Sequence, residues 1–196
     1  MKKFITFEGI DGSGKSTIAH CVASELKKKE YSVIITFEPT DTWLGEYVQQ
    51  QIKTHSDPYV TTFAFIADRI RHCKAIQEWL DQGFIVLCDR YAESTYAYQA
   101  VQLERTLNQP IKWLKDLSKN RILTPDRTYY FNININDALS RIQHRDELIP
   151  FEQRVFLERV SMNYQTVCRG NRFFHLDATK PINELTKICI DDILSS

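Results

Sequence analysis

Short apolar runs alternate along the chain with longer stretches in which apolar residues recur every three to four positions. The short runs fall at 4–7, 32–37, 84–88, 128–133 and 173–176, and each is of strand length. Helical spacing covers 15–29, 42–55, 61–82, 110–119, 137–145, 152–169 and 182–194. This alternation predicts an α/β fold, a five-stranded parallel sheet flanked by helices on both faces. Turn chemistry marks the joints: Gly83 precedes the third strand, Thr124-Pro125-Asp126 the fourth, and Pro181 the last helix. The segment 144–151 is polar, lacks periodicity and ends near Pro150, which suits a loop over a site better than a linker.

A chain of 196 residues suffices for one domain with a full core, and neither repeats nor low-complexity tracts divide it. Twenty-five Lys and Arg balance 25 Asp and Glu, so no global field favours a nucleic acid or an anionic membrane. An anion site must therefore be local. The five cysteines, Cys21, Cys73, Cys88, Cys168 and Cys189, form no C-x-x-C pair and have no histidines at metal-ligand spacing. Reduced thiols in a cytoplasmic protein account for them, and no apolar stretch of about 18 residues suggests a membrane span.

That local anion site is written at the end of the first strand. Gly9-Ile10-Asp11-Gly12-Ser13-Gly14-Lys15-Ser16 matches G-x-x-x-x-G-K-[ST], the P-loop, and opens a helical stretch as the motif requires. The glycines let backbone N–H groups converge on phosphate oxygens, and the helix N-terminus adds positive potential. Lys15 then reaches the β- and γ-phosphates while the Ser16 hydroxyl serves Mg²⁺.

The third strand carries Asp89 to the sheet edge where open α/β folds bind ligands. An aspartate there either holds the Mg²⁺ water shell or caps a following helix. Arg90 beside it is a permanent cation placed to grip a second phosphate. A P-loop alone does not separate GTPases, motor and transport ATPases and small-molecule kinases. The chain has no N-K-x-D for guanine, whereas a kinase needs acceptor cations and a lid that excludes water.

Across nearly its whole length the sequence resembles the thymidylate kinase family. The resemblance rests on 7–17 (Phe7-Glu8-Gly9 through Thr17), Glu38-Pro39, 65–69 (Phe65-Ile66-Ala67-Asp68-Arg69) and Asp89-Arg90-Tyr91 with Ser94 and 97–99. Pro125-Asp126, Arg141 and Arg145 ahead of Glu147-Leu148, and Asp177-Ala178-Thr179 complete it. It implies transfer of the ATP γ-phosphoryl group to dTMP with Mg²⁺, in a single domain with a lid at about 141–154. It further implies that the loop from Gly9 to Thr17 holds ATP phosphates, with the adenine near Thr179. Phe65 would stack on thymine and Arg69 would reach the base from the same helix face. By the same resemblance Arg90 holds the acceptor phosphate, Asp11 the 3'-hydroxyl, and Tyr98 the space where a ribose 2'-hydroxyl would sit. Ser94 and Thr95 line the base pocket, and either suits the thymine edge. Each position also has a structural reading: core packing for Phe65, a solvated face for Arg69, helix packing for Tyr98. A homodimer is implied by analogy with relatives.

The chain departs from the family where charge matters. The variable P-loop positions Ile10, Asp11, Gly12 and Ser13 carry no cation, Pro150 stands where many bacterial relatives have a basic lid residue, and Phe37 replaces an arginine often found before Glu-Pro. Arg141 and Arg145, one turn apart, are the expected lid cations, with Arg154 after the loop. The phosphate nucleophile is already anionic, so no general base is needed, and the five histidines receive no role. An acceptor of dUMP, CMP or a deoxynucleoside, or a silent nucleotide-binding module, are the alternative readings.

Overall fold

The computed structural model describes residues 1–142 and 154–195. Its strands are β1 (Lys3–Glu8), β2 (Val33–Phe37), β3 (Ile85–Asp89), β4 (Arg127–Asn132) and β5 (Phe173–Asp177). Its helices are α1 (Lys15–Lys28), α2 (Trp43–Lys53), α3 (Pro58–Asp81), α4 (Ala92–Leu103), α5 (Pro110–Ser118), α6 (Ile135–Ile142), α7 (Arg154–Val167) and α8 (Ile182–Ser195). The five strands form one parallel sheet in the order β2-β3-β1-β4-β5, as the alternation predicts.

The central strands have no polar face because helices cover the sheet on both sides. Phe4, Ile5 and Phe7 of β1 and Ile85, Val86, Leu87 and Cys88 of β3 are all fully buried. A cavity at one of them, as in Leu87→Ala, costs about 2–5 kcal/mol. From β1 the chain crosses to one edge of the sheet, and from β3 it crosses β1 toward the other. The register sets Phe7 beside Asp89 and Glu8 beside Tyr130. The carboxyl ends of β1 and β3 thus meet at the switch point, where open sheets form their crevice.

Several helices differ from the sequence-based expectation, α4, α3 and α6 among them. Helix α4 is absent from the predicted set because ten of its twelve positions, from Ala92 to Val101, are buried on every side, together with Leu103. It packs against α7, α5 and α3, and a helix covered all round has no polar stripe and hence no period to detect. Helix α3 begins at Pro58 rather than at 61, since Asp57 accepts N–H bonds from Tyr59 and Val60 at 2.8 and 3.4 Å and Pro58 tolerates the first turn. Helix α6 starts at Ile135 rather than at 137. The expected helical residues 143–145 and 152–153, the loop 144–151 and Arg145 lie outside the described residues.

Candidate active site

Backbone geometry builds the phosphate cradle. Gly14 precedes α1 with φ of 84°, in the left-handed region, and Gly12 lies so close to α6 that a Cβ would approach the Ala138 carbonyl oxygen to 2.3 Å. No larger residue fits at Gly12 without moving α6. Ile10 and Ser13 are buried beneath the loop, the Ser13 hydroxyl having no partner among the described residues, while Ser16 and Thr17 open α1 with exposed side chains.

At the neighbouring strand end the chain turns sharply. Arg90 has φ of 68°, a left-handed backbone that a side chain normally avoids at a cost of about 1–2 kcal/mol. The turn is held from a different strand: Glu8 Oε1 accepts from the N–H groups of Tyr91 and Ser94 at 2.7 and 3.3 Å. Glu8 thereby caps α4, whose N-cap residue Tyr91 makes no capping bond with its own side chain. Its second oxygen accepts from the hydroxyls of Ser94 at 2.7 Å and Tyr164 at 3.0 Å.

The Arg90 side chain spans the crevice. Its Nη2 donates to Asp11 Oδ1 at 2.5 Å, and its Nη1 donates to the Gly9 carbonyl at 3.2 Å and to Ser94 Oγ at 3.1 Å. Lys15 Nζ lies 3.9 Å from the same Asp11 oxygen. Tyr98 donates its hydroxyl to Asp11 Oδ2 at 2.8 Å and presents its ring to Arg90, 5.2 Å from the guanidinium carbon. Asp11 therefore faces both the P-loop lysine and the arginine at the end of β3.

Burial and charge tune these groups against one another. Burial pushes Lys15 down to about 8, reinforced by Arg90 and opposed by Asp11, Asp89 and Glu8. Burial also opposes the Asp11 charge, but Arg90, Lys15 and the Tyr98 bond outweigh it and hold the carboxyl well below the usual range. Glu8 is pushed up to about 7, first by burial and then by Glu93, against the pull of Ser94 and Arg90. Asp89 Oδ1 is buried and unpartnered among the described residues, as befits an oxygen that meets a cation or its water. No cluster of three His, Cys, Asp or Glu side chains forms a metal site among the described residues. The Ser16 hydroxyl and the open Asp89 oxygen are oxygen ligands that would suit a hard divalent cation that keeps several waters.

On α3, Arg69 is 1% exposed and donates to Glu38, the Tyr91 carbonyl and Thr95 Oγ1. A solvated face for Arg69 is excluded. Phe65, one turn before it, is half-buried and stands outside the hydrophobic core, while Phe63 turns away to meet Trp113 edge-on. Ser94 and Thr95 separate: Ser94 joins Glu8, Arg90 and Tyr164, whereas Thr95 belongs to the Arg69 group. On α6, Arg141 Nη2 donates to the Ala178 carbonyl at 3.0 Å and Nη1 to the Gly12 carbonyl at 3.4 Å. That pair of bonds ties α6 to the P-loop and to the turn at Thr179, which is exposed and bonded to Asp177. Arg154 donates to Asn136 at 2.6 Å, so α7 begins beside α6.

Sequence alone assigns no role to Glu8, Glu38, His72 or Tyr164. Glu8 ends a buried strand, a position that in itself signals a carboxylate with dedicated partners. Tyr164 carries no such signal, since its bond to Glu8 joins residues 156 apart in the chain.

Comparison with known proteins places this geometry in context. A family model described as Thymidylate kinase matches residues 7–188. A probable thymidylate kinase of Sulfurisphaera tokodaii is 39% identical over 196 residues, covering 100% of this chain and 97% of the relative. One of Methanosarcina barkeri is 36% identical, covering 98% and 96%, and a thymidylate kinase of Coprothermobacter proteolyticus is 34% identical, covering 97% and 98%.

Proposed function

The chain belongs to the thymidylate kinase family, and from that premise we propose how its residues divide the transfer of phosphate from ATP to dTMP. It is an enzyme that phosphorylates dTMP to dTDP at the expense of ATP. The observation that carries the assignment of roles is the meeting of Lys15 and Arg90 on Asp11, at 3.9 and 2.5 Å. One cation belongs to the P-loop and the other to the acceptor edge, so the two phosphates face each other across a single carboxylate.

The P-loop amides from Gly9 to Thr17 and Lys15 hold the ATP phosphates, and the turn at Thr179 borders the adenine. Arg90 holds the dTMP phosphate and aims one of its oxygens at the γ-phosphorus. That oxygen is anionic, so the protein need only position it and stabilise charge. Arg141 meets the charge that develops between the phosphates, and Arg145 is the second candidate for that task. Mg²⁺ held through Ser16 and Asp89 would neutralise phosphate charge when bound.

Phe65 stacks on thymine, and Arg69 with Thr95 faces its edge. Ser94 takes the phosphate side, where it braces Arg90. Asp11 accepts from the 3'-hydroxyl, and Tyr98 fills the 2' position. Exposed Trp43 and Tyr47 of α2 and Val60 and Phe63 of α3 support a homodimer through those helices, and five free thiols suit the cytoplasm. No described helix is long and apolar enough to cross a membrane.

Phosphorus NMR of a mixture of protein, ATP, Mg²⁺ and dTMP tests the reaction itself. Paired appearance of dTDP and ADP resonances is expected. ADP with inorganic phosphate and unchanged dTMP would contradict it.

A further inference from the structure

Behind the acceptor edge lies a chain of buried polar side chains that no step of phosphoryl transfer uses. It begins at Arg69, whose guanidinium has five N–H donors. Nε donates to Glu38 Oε2 at 2.7 Å, and Nη2 donates to the Tyr91 carbonyl at 3.0 Å and to Thr95 Oγ1 at 2.9 Å. The Tyr91 ring lies against the group, 5.4 Å from its central carbon. Nη1 is buried and has no partner among the described residues. A buried cationic donor left open is costly, so its natural partner is an acceptor atom that arrives with a ligand.

The chain continues away from the crevice. Glu38 is 5% exposed and gives its other oxygen, Oε1, to His72 Nδ1 at 3.0 Å. The far ring nitrogen, Nε2, lies 2.8 Å from Thr36 Oγ1 on β2. A carboxylate only accepts, so Nδ1 carries the proton and, in a neutral ring, Nε2 accepts from the Thr36 hydroxyl. A single tautomer satisfies every contact. With both Glu38 oxygens engaged, the carboxylate plane cannot rotate, and the Nε contact transmits that plane to the guanidinium fork. A network built for stability alone would end on satisfied atoms. This one ends on the open Nη1 edge of Arg69.

We propose that His72 is a positioning residue for acceptor binding: Thr36 holds its ring in orientation, it fixes Glu38, and Glu38 sets the direction of the free Arg69 edge. The proposal rests on the placement of Arg69 at the acceptor base. Support of this kind acts on a group that contacts the substrate without touching the substrate itself.

Steady-state kinetics of His72→Gln, His72→Asn and Arg69→Lys separate the possibilities. Asparagine puts its amide nitrogen near the Nδ1 position and keeps the Glu38 bond, whereas glutamine reaches toward Nε2 and loses it. His72→Gln should raise the KM for dTMP about tenfold, with kcat and the KM for ATP close to wild type. His72→Asn should restore most of the dTMP affinity. A wild-type dTMP KM in His72→Gln, or equal losses in both histidine variants, would overturn the proposal. If Arg69→Lys leaves the dTMP KM unchanged, the placement of Arg69 fails and the proposal falls with it. A raised KM in Arg69→Lys alone removes only the role of His72. Should His72→Gln not fold, Thr36→Val leaves the imidazole and its Glu38 bond but frees the ring to turn. It should raise the dTMP KM several-fold, and a wild-type value there would count against the proposal equally.

Discussion

The Tyr98 hydroxyl donates to Asp11 Oδ2 at 2.8 Å, so a helix residue locks a P-loop carboxylate whose other oxygen is held by Arg90. The contact gives Tyr98 two separable properties, a ring that occupies volume and a hydroxyl that orients Asp11. Tyr98→Phe should lower kcat/KM while preserving the preference for dTMP over its ribonucleotide counterpart. Tyr98→Ala should shift that preference toward the ribonucleotide by roughly 10- to 100-fold. Competition kinetics with the two acceptors measure both effects, and an unchanged ratio in Tyr98→Ala would return the residue to packing alone.

Lys15 is buried at the P-loop and its ammonium is pushed down to about 8. ATP phosphates favour the charged form, so ATP affinity should fall as pH rises above that value. Between pH 8 and 9.5 the KM for ATP should climb, by at most about tenfold per unit, and Lys15→Arg should flatten the climb. Lys15→Ala should lower kcat by ~10² to 10³ with the fold intact, as thermal melts would report.

Much of this site is legible in the chain because the P-loop joins a motif to its required context. An apolar strand, Gly9 to Ser16 and a helical stretch follow in order, and Asp89-Arg90 ends the third apolar run. What stays hidden is set by burial and by distance in sequence. Helix α4 loses its period because almost every position is covered, and with it goes the element that carries Ser94, Thr95 and Tyr98. The partners of Glu8 and Glu38 lie on other elements: Tyr91 and Ser94 for the first, Arg69 and His72 for the second. No local spacing reports such pairs. Asp57-Pro58, by contrast, is a legible cap, and it places the start of α3 three residues earlier than periodicity does.

Glu8 links the site to stability. Its carboxyl is pushed up to about 7 from 4.5, so between these values the folded protein keeps a proton that the unfolded chain has released. The contribution is greatest below pH 4.5 and is lost as pH rises to 7, by up to about 1.4 kcal/mol for each pH unit crossed. Urea titrations of wild type and Glu8→Gln at pH 5 and 7.5 isolate it. The wild type should lose more stability than the variant over this interval, and parallel losses would show that Glu8 does not titrate there.

Arg141 is exposed but bonds the carbonyls of Ala178 and Gly12, which sets its guanidinium beside the P-loop. Arg141→Ala should lower kcat by ~10² with little change in the KM for dTMP, because the charge it meets develops mainly during transfer. Lysine should rescue poorly, since a point charge cannot bridge two phosphates as a planar fork does. A wild-type kcat in Arg141→Ala would move the task to Arg145.

One reaction with one preferred acceptor is the central claim, and a coupled ADP-release assay across dTMP, dUMP, dCMP, CMP, AMP and GMP tests it most directly. With saturating ATP and Mg²⁺, dTMP should give the highest kcat/KM, and Arg69→Ala should narrow its advantage over the other bases. Turnover that is highest with another nucleotide, or ADP release indifferent to any acceptor, would contradict it.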